Sequence, residues 1–192
     1  MRATALGALG RAGALELHHL AAALSDPEPT VRRRAAEEAA RAPAAVVASL
    51  DLAPLLSDPD AFVAEAVAFA LGELDPSPAG AVDALATAAT GHEDVLVREA
   101  AVAALGSLGD ERGLEAVLAG CHDIATIRRR AVLALAAFDG PAVEAMLRDL
   151  STDRDRQVRQ AAEDLLQGWG SYDDHDDPDD PDDPDGDEAD GA

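Results

Sequence analysis

Lysine is absent from this 192-residue chain, and all 15 basic residues are arginine. Against them stand 38 aspartates and glutamates, for a formal net charge of −23. The basic footprint that nonspecific nucleic-acid binding requires is therefore missing, and no nucleic-acid partner is expected. Aromatic residues make up only 3% of a chain that is 48% apolar. Alanine and leucine must carry the packing, which favours close-packed helices over a β-sandwich. A single cysteine, Cys121, excludes an intramolecular disulfide framework and fits a reducing compartment. No apolar run approaches the roughly 18 residues of a membrane span. The opening segment, residues 1–20, is interrupted by Arg11 and reads better as half a repeat than as a secretion signal. These absences together predict a cytoplasmic protein with no membrane partner.

What is present is repetition. Similar phrases begin at Val31, Val63, Val97, Ile127 and Val158, spaced 32, 34, 30 and 31 residues apart. Counting each of these residues as position 0, apolar residues recur at positions 0, 4, 7, 8 and 11. That spacing places them in one stripe of a helix with 3.6 residues per turn. Turn signals precede each phrase: Asp26-Pro27, Asp58-Pro59, Glu93-Asp94, Asp123 and Asp153. Aspartate before proline predicts an N-cap followed by a first helical residue. Upstream of each turn runs another apolar helix, such as LEAVLAG at 114–120 or AVEAMLRDL at 142–150. Each unit is a helical hairpin that cannot bury both helices alone, and stacking five of them can. ALGALG at 5–10 matches ALGSLG at 104–109, so the chain opens on a second helix without its first. In the first full copy Glu38 holds position 7, where other copies have alanine or leucine. Arg34 is placed to pair with it, and this repeat is expected to be the loosest.

Asp-Pro, a short gap, Val-Arg, then alanine and Ala-Leu-Gly at fixed positions resembles the HEAT repeat. The roughly 31-residue period is similar to its short form, named for phycobilin lyases, and residues 108–135 are especially close to it. The resemblance covers about residues 1–168. It implies an all-α fold: a right-handed α-solenoid of about five and a half HEAT-like repeats over residues 1–170. It says little about function, because the repeat serves many scaffolds. Two enzyme families share it. Hydroxylases that modify a lysine-derived residue carry several His-Glu pairs around two irons. Here the His-Glu pair is His92-Glu93, in a turn, and the matching helix start reads Arg98-Glu99. Phycobilin lyases share the repeat, but no motif here marks a bilin site. The expectation is accordingly a non-enzyme without cofactor or metal.

Other chemistry is sparse. Cys121-His122 is the nearest nucleophile candidate, and adjacent side chains on one turn rarely make a working pair. His92 and His122 hold the turn position that Asp26, Asp58 and Asp153 hold elsewhere, too far apart for one metal. His18 and His19 cannot both face one site. At position 1 stand Arg32, Arg98, Arg128 and Arg159, with Ala64 in the second copy. On the flank of the core stripe such an arginine can lay its stem along the next helix and reach turn aspartates or carbonyls of an adjacent repeat. A structural ladder of Asp26, Arg32, Asp58, Arg98, Arg128, Asp153 and Arg159 is expected. At about 100° per residue, positions 2, 5 and 6 point away from the core. They predict a partner-binding strip of Phe69, Val102, Ala103, Val132 and Leu133, rimmed by Arg33 and Arg129, that takes a protein or peptide. The expected function is a scaffold or adaptor binding along that concave face. The alternative is a HEAT-like enzyme or accessory factor, of the phycobilin-lyase or deoxyhypusine-hydroxylase type.

Beyond Trp169 the composition changes. Residues 173–192 carry 12 acids, no basic residue and no apolar residue larger than alanine, so a disordered acidic tail over 171–192 is expected. The preceding chain still carries 26 acids against 15 arginines. That balance suits a salt-rich cytoplasm, in which an acidic surface keeps proteins soluble; an arm that binds a basic partner is the alternative.

Overall fold

The computed structural model describes residues 1–173, of which the side chains of 1–168 are placed; the acidic segment read as a tail lies almost wholly outside them, as does His175. Among the described residues the secondary structure is helical throughout, without a strand. Eleven α-helices follow one another: α1 (Arg2–Arg11), α2 (Leu17–Leu24), α3 (Pro29–Ala39), α4 (Ala44–Val47), α5 (Ala61–Glu73), α6 (Ala81–Gly91), α7 (Val95–Leu108), α8 (Leu114–Gly120), α9 (Ala125–Ala134), α10 (Pro141–Leu150) and α11 (Arg156–Asp173). They form two layers. The five phrases lie on α3, α5, α7, α9 and α11, which stack on one another behind α1 as an inner layer. The outer layer holds α2, α6, α8 and α10, each packed on the inner helix that follows it. This is the α-solenoid that the periodicity predicts.

The residues at position 0 are buried in all five copies, as are Ala35, Val67, Ala101, Ala131 and Ala162 at position 4. From the outer layer Leu20, Leu85, Val117 and Leu147 complete the core. Burying aliphatic side chains of this size stabilises by about 1.5–3 kcal/mol each. In the second copy the outer helix is broken. Pro43 opens the single turn of α4, and a 3₁₀ stretch at Ala53–Ser57 beginning Ala53-Pro54 follows, because proline cannot donate to a continuing helix. The apolar contact survives the break, since Val47, Leu52 and Leu56 are all buried.

Neighbouring inner helices approach closely through small residues. A Cβ built on Gly72 of α5 would lie 2.8 Å from both the Cα and the Cβ of Ala104 on α7. One built on Gly106 of α7 would lie 2.7 Å from the Cβ of Ala134 on α9. Position 9 of one repeat thus faces position 7 of the next. At the first step the same geometry explains Glu38. Its side chain lies in the notch left by Gly7 and Gly10 of α1, where a Cβ on Gly10 would overlap the carboxylate. Arg34 stands 3.6 Å from that carboxylate. Glu38 at position 7 is therefore matched by an absence of side chains opposite, rather than being a packing defect.

Candidate functional site

Among the described residues, two constructions gather charged side chains: a ladder at one end of the inner helices and a groove along their open face.

The ladder joins successive turns. The Arg32 guanidinium donates through Nε and Nη2 to both carboxylate oxygens of Asp58, at 2.7 and 2.8 Å, and through Nη1 to the Asp26 carbonyl at 2.8 Å. Arg98 holds Asp123 at 2.9 and 3.3 Å and the His92 carbonyl at 2.9 Å. Arg128 holds Asp153 at 2.9 and 3.0 Å and the Asp123 carbonyl at 2.8 Å. Each arginine grips its own turn with one nitrogen and the next turn with two, a geometry a planar guanidinium supplies and an ammonium does not. Among the described residues Arg159 reaches its own turn alone, donating to the Asp153 carbonyl at 2.5 Å. Asp58 and Asp153 also accept the backbone N–H two residues on, from Asp60 at 2.9 Å and Asp155 at 2.7 Å, while Asp123 accepts that of the next residue, Ile124, at 2.6 Å. Burial pushes the Asp58 carboxyl up, but the Arg32 guanidinium and the Asp60 N–H outweigh it and leave it below the usual carboxylate range. Hydrogen bonds from Arg98 and Arg128 likewise hold Asp123 and Asp153 low.

The residues differ from expectation in three places. Asp26 and Asp58 are not N-caps; they stand two residues further out, and Asp60 and Asp94 cap instead, accepting from the N–H groups of Phe62 and Leu96. In the fourth copy the ladder aspartate is Asp123, one residue after His122. At the N-terminal end Arg2 closes a rung to Asp26 at 2.7 and 2.9 Å, from a helix whose sequence lacks the Val-Arg start. One rung is missing on both sides: Ala64 replaces the arginine, and His92 holds the aspartate's place. His92 keeps the local half of that role, its Nδ1 accepting the Asp94 N–H at 3.0 Å.

The groove runs across the open face of the inner helices. A section of about 590 Å³ is lined by Arg33, Glu65, Phe69, Leu96, Glu99 and Arg130, among others, from α3 to α9. It continues through Ala103, Ser107 and Arg130 into a section of about 370 Å³ beside Leu133. At its other end it shares Arg41 with a section of about 490 Å³ between α1 and α3. Phe69 is 49% exposed and Leu133 56%. Arg33 pairs with Glu37 at 3.0 Å and lies 5.6 Å from the centre of the Phe62 ring, a cation–π contact.

Of the residues expected on this face, Phe69, Ala103, Leu133 and Arg33 line the groove. Val102 and Val132 do not; both are fully buried, as is Ala68. Position 5 faces the following repeat, so an inner helix in the stack is covered on three sides and not along one stripe. Val102 indeed reaches Gly120 at the end of the next outer helix. Arg129 is bound to Asp155 at 2.5 Å, and that hydrogen bond holds the Asp155 carboxyl far below its usual range. It therefore serves the step from α9 to α11. The open face instead includes position −1, which sequence reasoning missed: Phe62 and Leu96 are half-exposed there. Carrying the helical period one turn upstream of each phrase would have found them.

Metal chemistry finds no ligand set. Among the described residues, no three His, Cys, Asp or Glu side chains converge to hold an ion. The iron ligands of the His-Glu hydroxylases do not fit the residues present: His92 is engaged in its turn, and Glu99 lies 3.4 Å from Arg130. Cys121 is buried, and burial pushes its thiol up to about 12. It is expected to resist iodoacetamide at pH 8 in the folded protein and to react once denaturant is added, because the thiolate is the nucleophile. Labelling followed by mass spectrometry checks this. Among the described residues no helix is long and apolar enough to cross a membrane.

Comparison with known proteins places the repeat. Residues 49–125 match the family model of HEAT repeats. This stretch is a HEAT-repeat array. The HEAT stretch sits in a chain whose fold, over 88% of its length, superposes on 84% of an engineered protein with a TM-score of 0.63 at 23% identity. A designed armadillo repeat protein solved in complex with the peptide (KR)4 matches with a TM-score of 0.62 at 18% identity, covering 85% of each chain. Among curated proteins, deoxyhypusine hydroxylase of Neurospora crassa is 40% identical over 93 residues, 47% of this chain and 28% of that protein. The chain thus spans little more than a quarter of that relative. The expectation of a non-enzyme, drawn from missing His-Glu pairs, is corrected by this finding: the matched stretch is shared with a protein named as an enzyme.

Proposed function

We propose that the chain is a scaffold that binds a protein or peptide segment along the groove on its inner helices. The observation that carries this reading is the continuous groove in which Phe69 and Leu133, two large apolar groups, are left about half exposed by the described residues. A designed repeat protein of the same architecture takes a peptide, which supports the same use of the fold here. Phe69→Asp combined with Leu133→Asp is expected to weaken capture of the native partner at least tenfold while leaving the far-UV circular dichroism unchanged. Loss of helicity in the double variant would assign both residues to the core and remove the groove as a site.

The hydroxylase relative favours a second reading, in which the HEAT stretch works within or beside an enzyme and the groove receives a protein substrate. Stoichiometric iron in the purified protein would favour that reading over a scaffold.

A further inference from the structure

The groove is not uniform in charge. Where it passes between α1 and α3 its charged lining is three cations, Arg11, Arg34 and Arg41, against one carboxylate, Glu38, in a chain that carries −23 overall. Arg34 is shared between Glu37 and Glu38 at 2.9 and 3.6 Å, and Arg41 donates to the Glu37 carbonyl at 2.7 Å. Arg11 has no acidic partner among the described residues, so this end keeps an excess of positive charge. On α5 the sign reverses. Glu65 and Glu73 stand one turn before and one turn after Phe69 on the same face, and neither forms an ion pair among the described residues. Phe62, two turns earlier on that face, already carries the Arg33 guanidinium over its ring at 5.6 Å. Phe69 offers the same ring, flanked by two carboxylates, and no cation among the described residues lies over it.

Resting on the peptide-binding reading, we propose that the groove reads charge order in an extended segment of another protein. An acidic side chain of that segment meets Arg11, Arg34 and Arg41, and a lysine or arginine lies over Phe69 between Glu65 and Glu73. Inner helices stack about 8–10 Å apart, and an extended peptide advances roughly 3.3 Å per residue. The two charges therefore stand about three to six residues apart in the bound segment.

Synthetic fluorescein-labelled peptides test this against the full chain by polarisation. One set carries an acid and a base at that spacing around apolar residues. A second is all basic, a third is residues 173–192 of this chain, and a fourth is apolar and uncharged. The mixed set is expected to bind at least tenfold tighter than the other three. Glu65→Arg with Glu73→Arg should lose that advantage, and a mixed peptide whose base is replaced by glutamate should regain it. Neither glutamate pairs within the described chain, so the reversal leaves the fold in place, as circular dichroism will report. All-basic peptides binding as tightly as the mixed ones would overturn the proposal, since net charge alone would then decide. Tightest binding by the 173–192 peptide would overturn it in favour of the chain's own tail, and self-association of the unliganded chain through this face would do so in favour of a second copy. If uncharged peptides bind equally well and lose affinity in the Phe69→Asp, Leu133→Asp variant, charge order falls while the peptide groove stands. If no peptide binds, both fall.

Discussion

Replacing Arg128 by alanine is expected to destabilise the fold by about 3 kcal/mol, the range found when one partner of a largely buried ion pair is removed. Arg128 is 7% exposed and Asp153 14%, so the carboxylate left behind has little water to replace its two hydrogen bonds. The Asp123 carbonyl loses its donor in the same step. The damage falls on the joint between α9 and α11, and for a chain of this length the midpoint of thermal unfolding should drop by on the order of 10 °C. Hydrogen exchange should locate the loss in α10 and α11, because a solenoid repeat depends on its neighbours alone. The double variant Arg128→Ala with Asp153→Ala should cost clearly less than the sum of the single ones, since it strands no charge. Additive losses would show that the pair does not couple the repeats. Acid should act on the same joints. Asp58, Asp123 and Asp153 are held below their ordinary values in the folded chain. Their contribution is complete above the unfolded value of about 3.9 and fades as pH falls through the lower folded values. The melting temperature should therefore hold steady down to about pH 5 and fall steeply below about pH 4.

Gly106→Ala is expected to destabilise as well, although alanine is the better helix former by about 1 kcal/mol. The added methyl would lie 2.7 Å from the Ala134 Cβ and 2.8 Å from its Cα, and neither can swing aside as a long side chain would. Only separation of α7 from α9 relieves the overlap. Overpacking of this kind costs about 1–3 kcal/mol or more, so the propensity gain is offset and stability falls by on the order of 1–2 kcal/mol. Gly91→Ala serves as the control, since nothing lies within 4 Å of its Cβ position; it should be neutral or slightly stabilising. Chemical denaturation of the two variants side by side measures the difference. A Gly106→Ala protein more stable than its parent would mean that α7 and α9 are not held in contact there.

Much of this structure was legible because the repeat writes it several times. Val97, Ala101, Ala104 and Leu105 are buried where the period puts them, and the ladder arginines stand where position 1 puts them. The groove was legible only in part. A helical period gives the direction of one buried stripe, yet it does not say how wide the covered arc is when a helix has neighbours in front, behind and beside it. That is why Val102 and Val132, expected on the surface, are core. Starting each phrase at its first buried residue also hid Phe62 and Leu96, one residue upstream on the open face. The rung at Asp123 escaped because a histidine, His122, occupies the place in the repeat where Asp26, Asp58 and Asp153 stand in other copies. Glu38 looked like a fault for a related reason: what accommodates it is the lack of side chains on Gly7 and Gly10, which no pattern of apolar residues records.

The absent rung between Ala64 and His92 divides the ladder into two separate runs. Clasps bind α1 to α3 and α3 to α5 on one side, and α7 to α9 and α9 to α11 on the other. Between α5 and α7 no ion pair crosses among the described residues, and an extensive helix contact that includes the close approach of Gly72 to Ala104 closes the step. The largest of the three groove sections lies directly over that step, so the part of the face with most room for a ligand is the part no clasp braces.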